Sequence, residues 1–397
     1  MATCWVPGAE GSGFGLDNLP YGVFSRATTE PRVGVRIGEY VLDLAAALRE
    51  PEFAQSSLNA FLAAGSTAWR STRAKVGGML GSEAGRRHAE EYLVPLTEAR
   101  LHLPFEVADF VDFYCSEDHA SNVGRMFRPD QEPLKPNWRH LPVGYHGRSG
   151  TVVLSGGDIV RPHGQRKAPD AELPSFGPSE RLDFEAELGF VVGTPSRFGS
   201  SVTTADFAEH VFGVVLVNDW SARDIQAWEY VPLGPFLGKS FATSISPWVV
   251  PLDALAAARV PGPVQEPEPL PYLQRVADWG LDLRMEVRVN DTVLSRPPYS
   301  RMYWTGDQML AHLTSNGSPL RTGDLFASGT VSGMDRAERG SLLELSWAGT
   351  DPVTLADGSE RTFLADGDTV TIGASAPGAG GSQVSLGAVT GTVRPVA

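Results

Sequence analysis

The alternation of apolar and polar residues near the N-terminus predicts a small unit of strands and helices. Residues 33–38 and 40–44 alternate around a tight turn, which predicts a pair of antiparallel strands. Two helices are predicted after them, over residues 57–64 and from 68 to about 93, the second broken at Gly77 and Gly78. Strands and helices in this proportion predict a small α+β domain.

Beyond residue 104 the pattern changes to short apolar segments separated by glycine and proline. This change predicts a domain boundary between residues 1–104 and 105–397. Strands are predicted at residues 150–155, 182–192, 211–217, 281–289, 324–328, 341–347 and 368–373. The many prolines of residues 260–271 predict a surface loop, and one or two short helices complete the domain. The predicted fold class is mainly β with some α, that is, α+β.

Charge and cysteine content restrict the classes of partner. The 397 residues carry 47 acidic and 33 basic side chains, a formal net charge of -14. Such a chain repels nucleic acid and anionic membranes, which favours small molecules and metal cations as ligands. The apolar runs, such as residues 212–217, are far shorter than the roughly 20 residues of a membrane-spanning helix. Two cysteines, Cys4 and Cys115, indicate a reducing compartment and predict a cytoplasmic protein.

The strand predicted over residues 182–188 places its acidic side chains on one face. Because side chains alternate along a strand, Asp183, Glu185 and Glu187 point away from the apolar residues between them. Glu185 and Glu187 then lie roughly 7 Å apart, close enough to share a cation. A solvated acidic face fits the same pattern. The following residues 189–193 are apolar on both faces, as in a central strand, and this favours a metal site.

A second candidate site begins where a continuously apolar strand ends at Asp219. Ser221 is a suitable cap for a short helix on which Arg223, Gln226 and Tyr230 share one face. A cation, an amide and a phenol beside a carboxylate would form one wall of a ligand site. The same spacing fits an ordinary amphipathic helix, and spacing alone leaves both interpretations open.

A third candidate site surrounds His119. Ser116 fits the N-cap of a helix with His119 at its third position, and Asp112 and Tyr114 lie on the extended segment before it. A lone histidine is commonly structural or exposed, but beside acidic residues it can also act as a base near neutral pH. The other histidines show no zinc-binding spacing.

Three more residues are chemically unusual in their context. Thr330 is framed by glycines, and Lys239 lies in a loop rich in glycine and proline. In the strand predicted over residues 341–347, Glu344 has apolar neighbours on both sides. This carboxylate is either solvated on the outer face or the buried partner of a histidine or cation, and the sequence does not decide between the two.

Several segments together resemble the fumarylacetoacetase family. The matching motifs are residues 112–114, 119–124, 136–138, 141–148, 218–226, 228–241 and 327–330. The N-terminal segment 18–25 is also similar to the family, so the resemblance covers nearly the whole chain. A chance match over this many segments is negligible.

The resemblance implies the fold, the reaction and the cofactor. Members of this family hydrolyse 4-fumarylacetoacetate to fumarate and acetoacetate, the last step of tyrosine and phenylalanine catabolism. Each chain of the homodimer has a small SH3-like N-terminal barrel domain and a large β-rich catalytic domain. A calcium or magnesium ion lies in the active site, in agreement with a ligand set of oxygens, which selects hard cations over zinc.

By motif, the resemblance also assigns roles to individual residues. Metal-binding positions are Asp112, Glu185, Glu187 and Asp219, with Lys239 and Thr243 linked to a magnesium site. The general base is His119, its orienting carboxylate is Glu344, and the oxyanion and leaving group are stabilised by Arg223, Gln226 and Lys239. Substrate-binding positions are Tyr114, Arg128, Gln226, Tyr230 and Thr330, with Tyr145 as a further candidate.

Two other functions are compatible with parts of this pattern. A related acylpyruvate hydrolase, hydratase or decarboxylase of the same superfamily would share the catalytic domain, but the matching N-terminal segment argues against it. A non-catalytic cation-binding β module would share the acidic residues. It would leave His119, Glu344 and the helix face of Arg223 without a role.

Overall fold

A five-stranded antiparallel sheet forms the N-terminal region of the chain. The structure is a computed structural model that describes residues 4–396. The first strands are β1 (Tyr21–Ser25), β2 (Arg32–Ile37), β3 (Tyr40–Asp43), β4 (Leu93–Pro95) and β5 (Arg100–His102), paired in the order β4-β3-β2-β1-β5. The helices are α1 (Leu44–Leu48), α2 (Asn59–Leu62), α3 (Ser66–Leu80) and α4 (Glu83–Ala89), with 3-10 turns at Pro51–Ala54, Glu90–Tyr92 and Leu96–Glu98.

The predicted hairpin is confirmed as β2 and β3. Ile37 lies opposite Tyr40 across the turn, in antiparallel register. All residues of β1 are buried, and Tyr21 in this strand exchanges two backbone hydrogen bonds with Val249, at 2.9 and 2.7 Å. These bonds join the N-terminal sheet to the rest of the molecule.

The predicted break in the second helix is wrong. Helix α3 continues through Gly77 and Gly78, and α4 begins only after Ser82, whose hydroxyl accepts from the amide of Gly85 at 3.0 Å. Each glycine destabilises a helix interior by about 1 kcal/mol relative to alanine. The helix buries several side chains against the N-terminal core, among them Trp69, Val76 and Leu80. This packing outweighs the loss at the two glycines.

The larger region contains most of the strands of the molecule. They are β6 (Phe110–Phe113), β7 (Gly144–His146), β8 (Val152–Leu154), β9 (Gly157–Val160), β10 (His163–Arg166), β11 (Ser175–Pro178), β12 (Leu182–Asp183), β13 (Ala186–Val192), β14 (Val211–Asp219), β15 (Ser221–Ala222), β16 (Thr243–Ile245), β17 (Val250–Pro251), β18 (Arg259–Val260), β19 (Gly280–Leu281), β20 (Arg284–Val289), β21 (Thr292–Ser295), β22 (Leu325–Ala327), β23 (Val353–Thr354), β24 (Glu360–Arg361), β25 (Thr369–Pro377) and β26 (Gln383–Arg394).

The helices of this region are short and lie between the strands. They are α5 (Glu117–Phe127), α6 (Phe207–His210), α7 (Arg223–Glu229), α8 (Gly306–Thr314) and α9 (Leu342–Leu345). 3-10 segments occur at Ser149–Thr151, Thr204–Asp206, Leu252–Ala258, Pro271–Leu273, Tyr299–Arg301, Arg336–Glu338 and Ala379–Gly381. The region therefore has more helices than the one or two that the sequence predicts.

An eight-stranded mixed sheet runs through the centre of the larger region, in the order β7-β6-β22-β13-β14-β16-β8, with β17 paired to β14. Strand β14 is the predicted apolar strand extended to Asp219, and every one of its residues is buried. A second sheet has the order β21-β20-β25-β26-β9. One hydrophobic cluster includes side chains from both sheets, such as Leu216 and Ile372, so the two sheets share a core.

The register of the central sheet brings several predicted site residues to one of its edges. Asp112 on β6 is paired with Tyr145 on β7 and with Ala327 at the end of β22. Three strands away from β6, Asp219 at the end of β14 is paired with Thr243 at the start of β16. Residues far apart in the chain therefore lie side by side at this edge.

Two other predictions have different outcomes. The predicted loop over residues 260–271 is confirmed, since it is irregular between β18 and the turn at Pro271–Leu273. The predicted strand over residues 341–347 is wrong, because this segment forms helix α9.

Among the described residues, every helix is too short or too polar to span a bilayer. The α+β fold class is confirmed.

Candidate active site and metal centre

Four buried carboxylates converge at the edge of the central sheet. Asp112 lies on β6, Glu187 on β13 and Asp219 at the end of β14, while Glu185 directly precedes β13. One oxygen from each lies within 4.8 Å of the others, and all four side chains are buried. The paired glutamates and the strand-end aspartate of the sequence analysis thus belong to a single cluster.

Glu185 and Glu187 share the cluster although the strand between residues 182 and 192 is interrupted. Strand β12 ends at Asp183 and β13 starts at Ala186. In the gap, Glu185 pairs with Ser341 in an isolated bridge, and its carbonyl accepts from the amide of Asp219 at 3.2 Å. The predicted common face therefore holds for the two glutamates, whereas Asp183 makes other contacts described below.

The buried cations Lys239 and Arg223 offset part of the negative charge. The ammonium of Lys239 donates to Glu185 Oε2 and Asp219 Oδ2, both at 2.5 Å. Burial opposes its charge, but these carboxylates outweigh burial and raise the pKa of Lys239. A protonated ammonium has no free lone pair, so Lys239 acts on the cluster as a charge partner and not as a metal ligand. Thr243 donates its hydroxyl to Asp219 Oδ1 at 3.1 Å.

The other side of the cluster has carboxylate oxygens without partners. Both oxygens of Glu187 and Oδ1 of Asp112 are buried and make no hydrogen bond to any described residue. Burial, reinforced by the neighbouring carboxylates, raises the pKa of Glu187 and of Asp112 well above their ordinary values. Native structures rarely leave such atoms unsatisfied. A hard divalent cation fits this set of oxygens.

His119 and Glu344 form a buried pair beside the cluster. Ser116 caps α5 as predicted and accepts from the amide of His119 at 3.2 Å. The imidazole Nδ1 lies 2.7 Å from Glu344 Oε2. With Nδ1 held by a carboxylate, Nε2 is the nitrogen left to act on a ligand. No described residue is hydrogen-bonded to Nε2.

Glu344 is the buried partner that the sequence left undecided. It lies on α9, and its carboxylate accepts from Asn122, Ser332 and Ser341 at 2.8–2.9 Å in addition to His119. Burial acts to raise the pKa of Glu344, but His119 and these donors outweigh it and lower the pKa. The helix arises because the hydroxyl of Ser341 caps it at the amide of Glu344, 3.3 Å away.

Arg223 is fixed at the start of α7 by several acceptors. Its Nε donates to Asp183 Oδ2 at 2.9 Å, and its Nη1 lies 2.7 Å from Glu185 Oε1 and donates to Gln226 Oε1 at 3.2 Å. Its buried Nη2 has no partner among the described residues. Gln226 uses its oxygen on Arg223, which leaves its amide NH₂ available to a ligand. The predicted Ser221 cap is wrong, because Ser221 lies in β15 and Ala222 occupies the cap position.

The predicted substrate-binding residues are divided between the buried site and its rim. The ring of Tyr114 packs edge-on against that of His119, 5.3 Å between centroids, and burial raises the pKa of its phenol. The hydroxyl of Thr330 is buried and unpartnered. Arg128 donates to the carbonyl of Pro133 at 3.0 Å and retains a buried, unpartnered Nε. Tyr230 follows the last residue of α7 and is 48% exposed.

Two glycines bring the backbone close to these side chains. Gly329, before Thr330, has a φ of 74°, and a Cβ there would lie 2.2 Å from the carbonyl oxygen of Phe113. A Cβ on Gly238 would lie 2.8 Å from the backbone and Cβ of Gln226. Any other residue at either position would separate segments that carry site residues.

A cavity opens onto the cluster from the side of Lys239. It has a volume of about 190 Å³ and is lined by Asp219, Lys239 and Thr243, by Tyr145, and by Phe236 of the loop after α7. Tyr145 therefore contacts the same space as the predicted magnesium-linked residues. Burial raises the pKa of its phenol well above the ordinary value, with a further contribution from Asp112.

Sequence reasoning missed the residues that hold the site residues in place. Asn122 lies three positions after His119 on α5, so helical spacing could have placed it near the partner of His119. Asp183 was included only in the acidic face of its strand. Ser341 lies three positions before Glu344, so the spacing of a helix cap could have placed it beside this carboxylate. Ser332 reaches Glu344 through the tertiary fold, and no local pattern marks it.

Comparison with known proteins identifies the family. The fumarylacetoacetase N-terminal family matches residues 17–104, and the fumarylacetoacetate (FAA) hydrolase C-terminal family matches residues 109–394. The fumarylacetoacetase of Rattus norvegicus is 45% identical over 413 residues, which cover 98% of each chain. That of Caenorhabditis elegans is 46% identical over 410 residues, which cover 97% of each chain.

Solved structures show the same fold at much lower identity. The fumarylacetoacetate hydrolase of psychrophilic Exiguobacterium antarcticum is similar with a TM-score of 0.57 at 19% identity, covering 95% of this chain and 100% of that chain. This likeness concerns the fold alone. The two family matches and the relatives above 40% identity extend over nearly the full chain, and with them the protein belongs to the fumarylacetoacetase family of hydrolytic enzymes.

Proposed function

We propose that the protein hydrolyses the carbon–carbon bond of 4-fumarylacetoacetate to give fumarate and acetoacetate. One observation carries the proposal: buried polar atoms without partners lie on residues of both the acidic cluster and its surroundings. They include acceptors on Asp112 and Glu187, a donor on Arg223 and the hydroxyl of Thr330. Unsatisfied acceptors and donors in one buried site favour a ligand that carries several oxygens together with a cation.

In the first step His119 acts as the base. Glu344 accepts from Nδ1 and holds the imidazole in the tautomer whose Nε2 has a free lone pair. Nε2 removes a proton from water, and the hydroxide oxygen bonds to the carbonyl carbon next to the fumaroyl double bond. The negative charge formed on that carbonyl oxygen is stabilised by Arg223 Nη2 and the amide NH₂ of Gln226.

In the second step the oxyanion collapses and the bond to the acetoacetate methylene carbon breaks. The electron pair of that bond forms the enolate of acetoacetate, which Lys239 stabilises by its charge. The proton held on His119 returns to the methylene carbon, and the new carboxyl loses its own proton to solvent. One water is consumed, so atoms and charge balance.

The metal site completes this proposal. Asp112, Glu185, Glu187 and Asp219 would hold Ca²⁺ or Mg²⁺, with Thr243 and Lys239 supporting Asp219. When bound, such an ion supplies Lewis-acid polarisation of the diketone oxygens. The unpartnered oxygens of Glu187 and Asp112 support this assignment.

The substrate carries a carboxylate at each end, and the remaining residues are proposed to bind it. Arg128 and Tyr230 lie at the rim, where a charged end group reaches solvent, while Tyr114, Thr330 and Tyr145 contact the diketone portion. The buried position of Thr330 and the exposed position of Tyr230 support this division.

The proposal extends to the organisation of the protein. We place the domains at residues 1–104 and 105–397, and the two family matches, which meet between residues 104 and 109, support this division. We propose a cytoplasmic homodimer. The loop after α7 exposes Val231, Leu233 and Phe236 at 66%, 95% and 63%, an apolar surface that favours association. Light scattering of the purified protein measures the mass of the assembly.

The decisive experiment follows the diketone absorbance of 4-fumarylacetoacetate with purified protein. We expect absorbance to fall, to stop falling after metal is removed with a chelator, and to resume when Ca²⁺ or Mg²⁺ is added. Faster turnover of an acylpyruvate would assign the protein to a related hydrolase. Binding of metal without turnover of either compound would indicate a non-catalytic module.

A further inference from the structure

One buried carboxylate outside the acidic cluster joins two parts of the proposed catalytic machinery. Asp183 has no solvent exposure. Its Oδ2 accepts from Arg223 Nε at 2.9 Å and from the amide of Leu343 at 3.0 Å. Its Oδ1 accepts from the amides of Leu342 and Phe184, both at 2.8 Å. Four donors therefore surround this side chain.

These donors come from segments with different tasks. Arg223 begins α7 and retains a buried Nη2 without a partner among the described residues, the donor assigned above to the developing oxyanion. Leu342 and Leu343 begin α9, the helix that carries Glu344 and through it the orientation of His119. A single carboxylate thus touches the group that faces the developing oxyanion and the element that holds the base.

These contacts fix the orientation of the Arg223 guanidinium as well as its position. Arg223 is held through Nε by Asp183 and through Nη1 by Glu185, and two acceptors at neighbouring nitrogens set the plane of a guanidinium. Because the amides of α9 share the same acceptor, the tilt of this helix and the plane of Arg223 depend on one group. A displacement of about 1 Å in such an arrangement can reduce a rate about 100-fold.

We propose that Asp183 is a positioning residue that keeps Arg223 and the His119–Glu344 pair in one fixed relation, so that both act on the same substrate carbonyl. The inference rests on the proposed hydrolysis for its kinetic consequence. Its structural consequence is independent of the substrate. The hydrogen bonds of the Asp183 side chain all go to protein groups outside the acidic cluster, so it acts through Arg223 and α9.

The test compares Asp183→Asn with a matched control, Asp368→Asn. Asp368 is also a buried aspartate, and it accepts from an arginine, Arg361, at 2.7 Å and from a backbone amide, that of Ala365, at 2.8 Å. None of its side-chain partners among the described residues belongs to the proposed site. We expect kcat of Asp183→Asn to fall about 100-fold with KM changed less than about threefold, and kcat of Asp368→Asn to stay within about twofold.

A double-mutant cycle separates positioning from a general loss of stability. In an Arg223→Lys background, Asp183→Asn should reduce kcat by a clearly smaller factor than in the wild type, because one of the two groups that Asp183 positions is already lost. Equal losses in both backgrounds, or an equal loss of kcat in Asp368→Asn, would overturn the proposal.

Hydrogen exchange provides a readout that needs no turnover. Amides of residues 342–345 should exchange faster in Asp183→Asn than in the wild type, and at the wild-type rate in Asp368→Asn. Unchanged exchange at these amides would refute the role of Asp183 even if the enzyme proves active on a different substrate. Absence of fumarylacetoacetate hydrolysis with the expected exchange pattern would instead refute only the proposed function.

Discussion

Two glutamates of the site, Glu187 and Glu344, are equally buried and opposite in their surroundings. Glu344 receives hydrogen bonds from His119 and three further side chains. Glu187 receives none from the described residues. The pKa of Glu344 is lowered and that of Glu187 is raised, with burial as the largest influence on both.

The comparison shows that burial alone does not define the role of a carboxylate. A charge whose acceptor sites are filled by the protein serves to hold another side chain, here His119. A charge whose acceptor sites are empty is stable in the ionised state only with an added cation. The protein itself satisfies the carboxylate of Glu344, whereas the surroundings of Glu187 leave acceptor sites open for a ligand.

The largest effect is expected from His119→Ala. General-base catalysis contributes about a hundred- to ten-thousand-fold, so kcat should fall by at least this factor. Metal affinity should remain near the wild-type value, because His119 is not among the four clustered carboxylates. Steady-state kinetics and calorimetric titration with Ca²⁺ check the two parts. Hydrolysis near the wild-type rate would exclude His119 as the base.

The second largest effect is expected on metal affinity, which should fall in a Glu187 variant and not in a Glu344 variant. Glu187→Gln removes a charged ligand without disturbing any hydrogen bond of the described residues, so Ca²⁺ affinity should fall at least about 10- to 100-fold, the loss typical of weaker changes around a metal. Glu344→Gln is the matched control and should bind the ion normally. Full metal occupancy of Glu187→Gln in elemental analysis would show that the cluster is not the metal site.

Stability without metal should change in opposite directions in the same two variants. Glu344→Gln places an NH₂ group among donors and should lower the free energy of unfolding by about 1–3 kcal/mol. Glu187→Gln removes a buried carboxyl group that has no partners and whose ionisation is opposed by burial, so it should raise the free energy of unfolding. Urea unfolding in the presence of a chelator measures both. A loss of stability in both variants would mean that Glu187 has protein partners in solution.

The smallest effect is a dependence on pH. The folded pKa of Glu344 lies below its unfolded value of about 4.3. Its stabilisation is therefore fully present above that pH and is lost as the pH falls through the folded pKa. The difference in unfolding free energy between wild type and Glu344→Gln should stay constant above about pH 5 and shrink below about pH 4. A difference that grows on acidification would contradict the direction of this shift.

The sequence predicts the parts of the site that depend on short-range spacing and misses those that depend on tertiary contacts. Alternation placed Glu185 and Glu187 on a common face, and the Ser116 cap placed His119 at the third position of its helix, because both depend on spacing of a few residues. The conformation around Glu344 was predicted wrongly, since alternating apolar residues over 341–347 resemble a strand while the Ser341 cap starts a helix. Asp183 meets Arg223, and Ser332 meets Glu344, only through the tertiary fold, across more than ten residues of sequence.

The parallel pairing of β26 with β9 has a consequence for synthesis of the chain. Residues 391–394 lie beside residues 157–160, so the second sheet closes only after residue 394 has left the ribosome. The N-terminal sheet, by contrast, draws all its strands from residues 21–102. Pairings of such large sequence separation form slowly. The nascent protein therefore carries an unpaired edge at β9 until residues 391–394 are available, and deletion of these four residues is expected to promote aggregation far more than their number suggests.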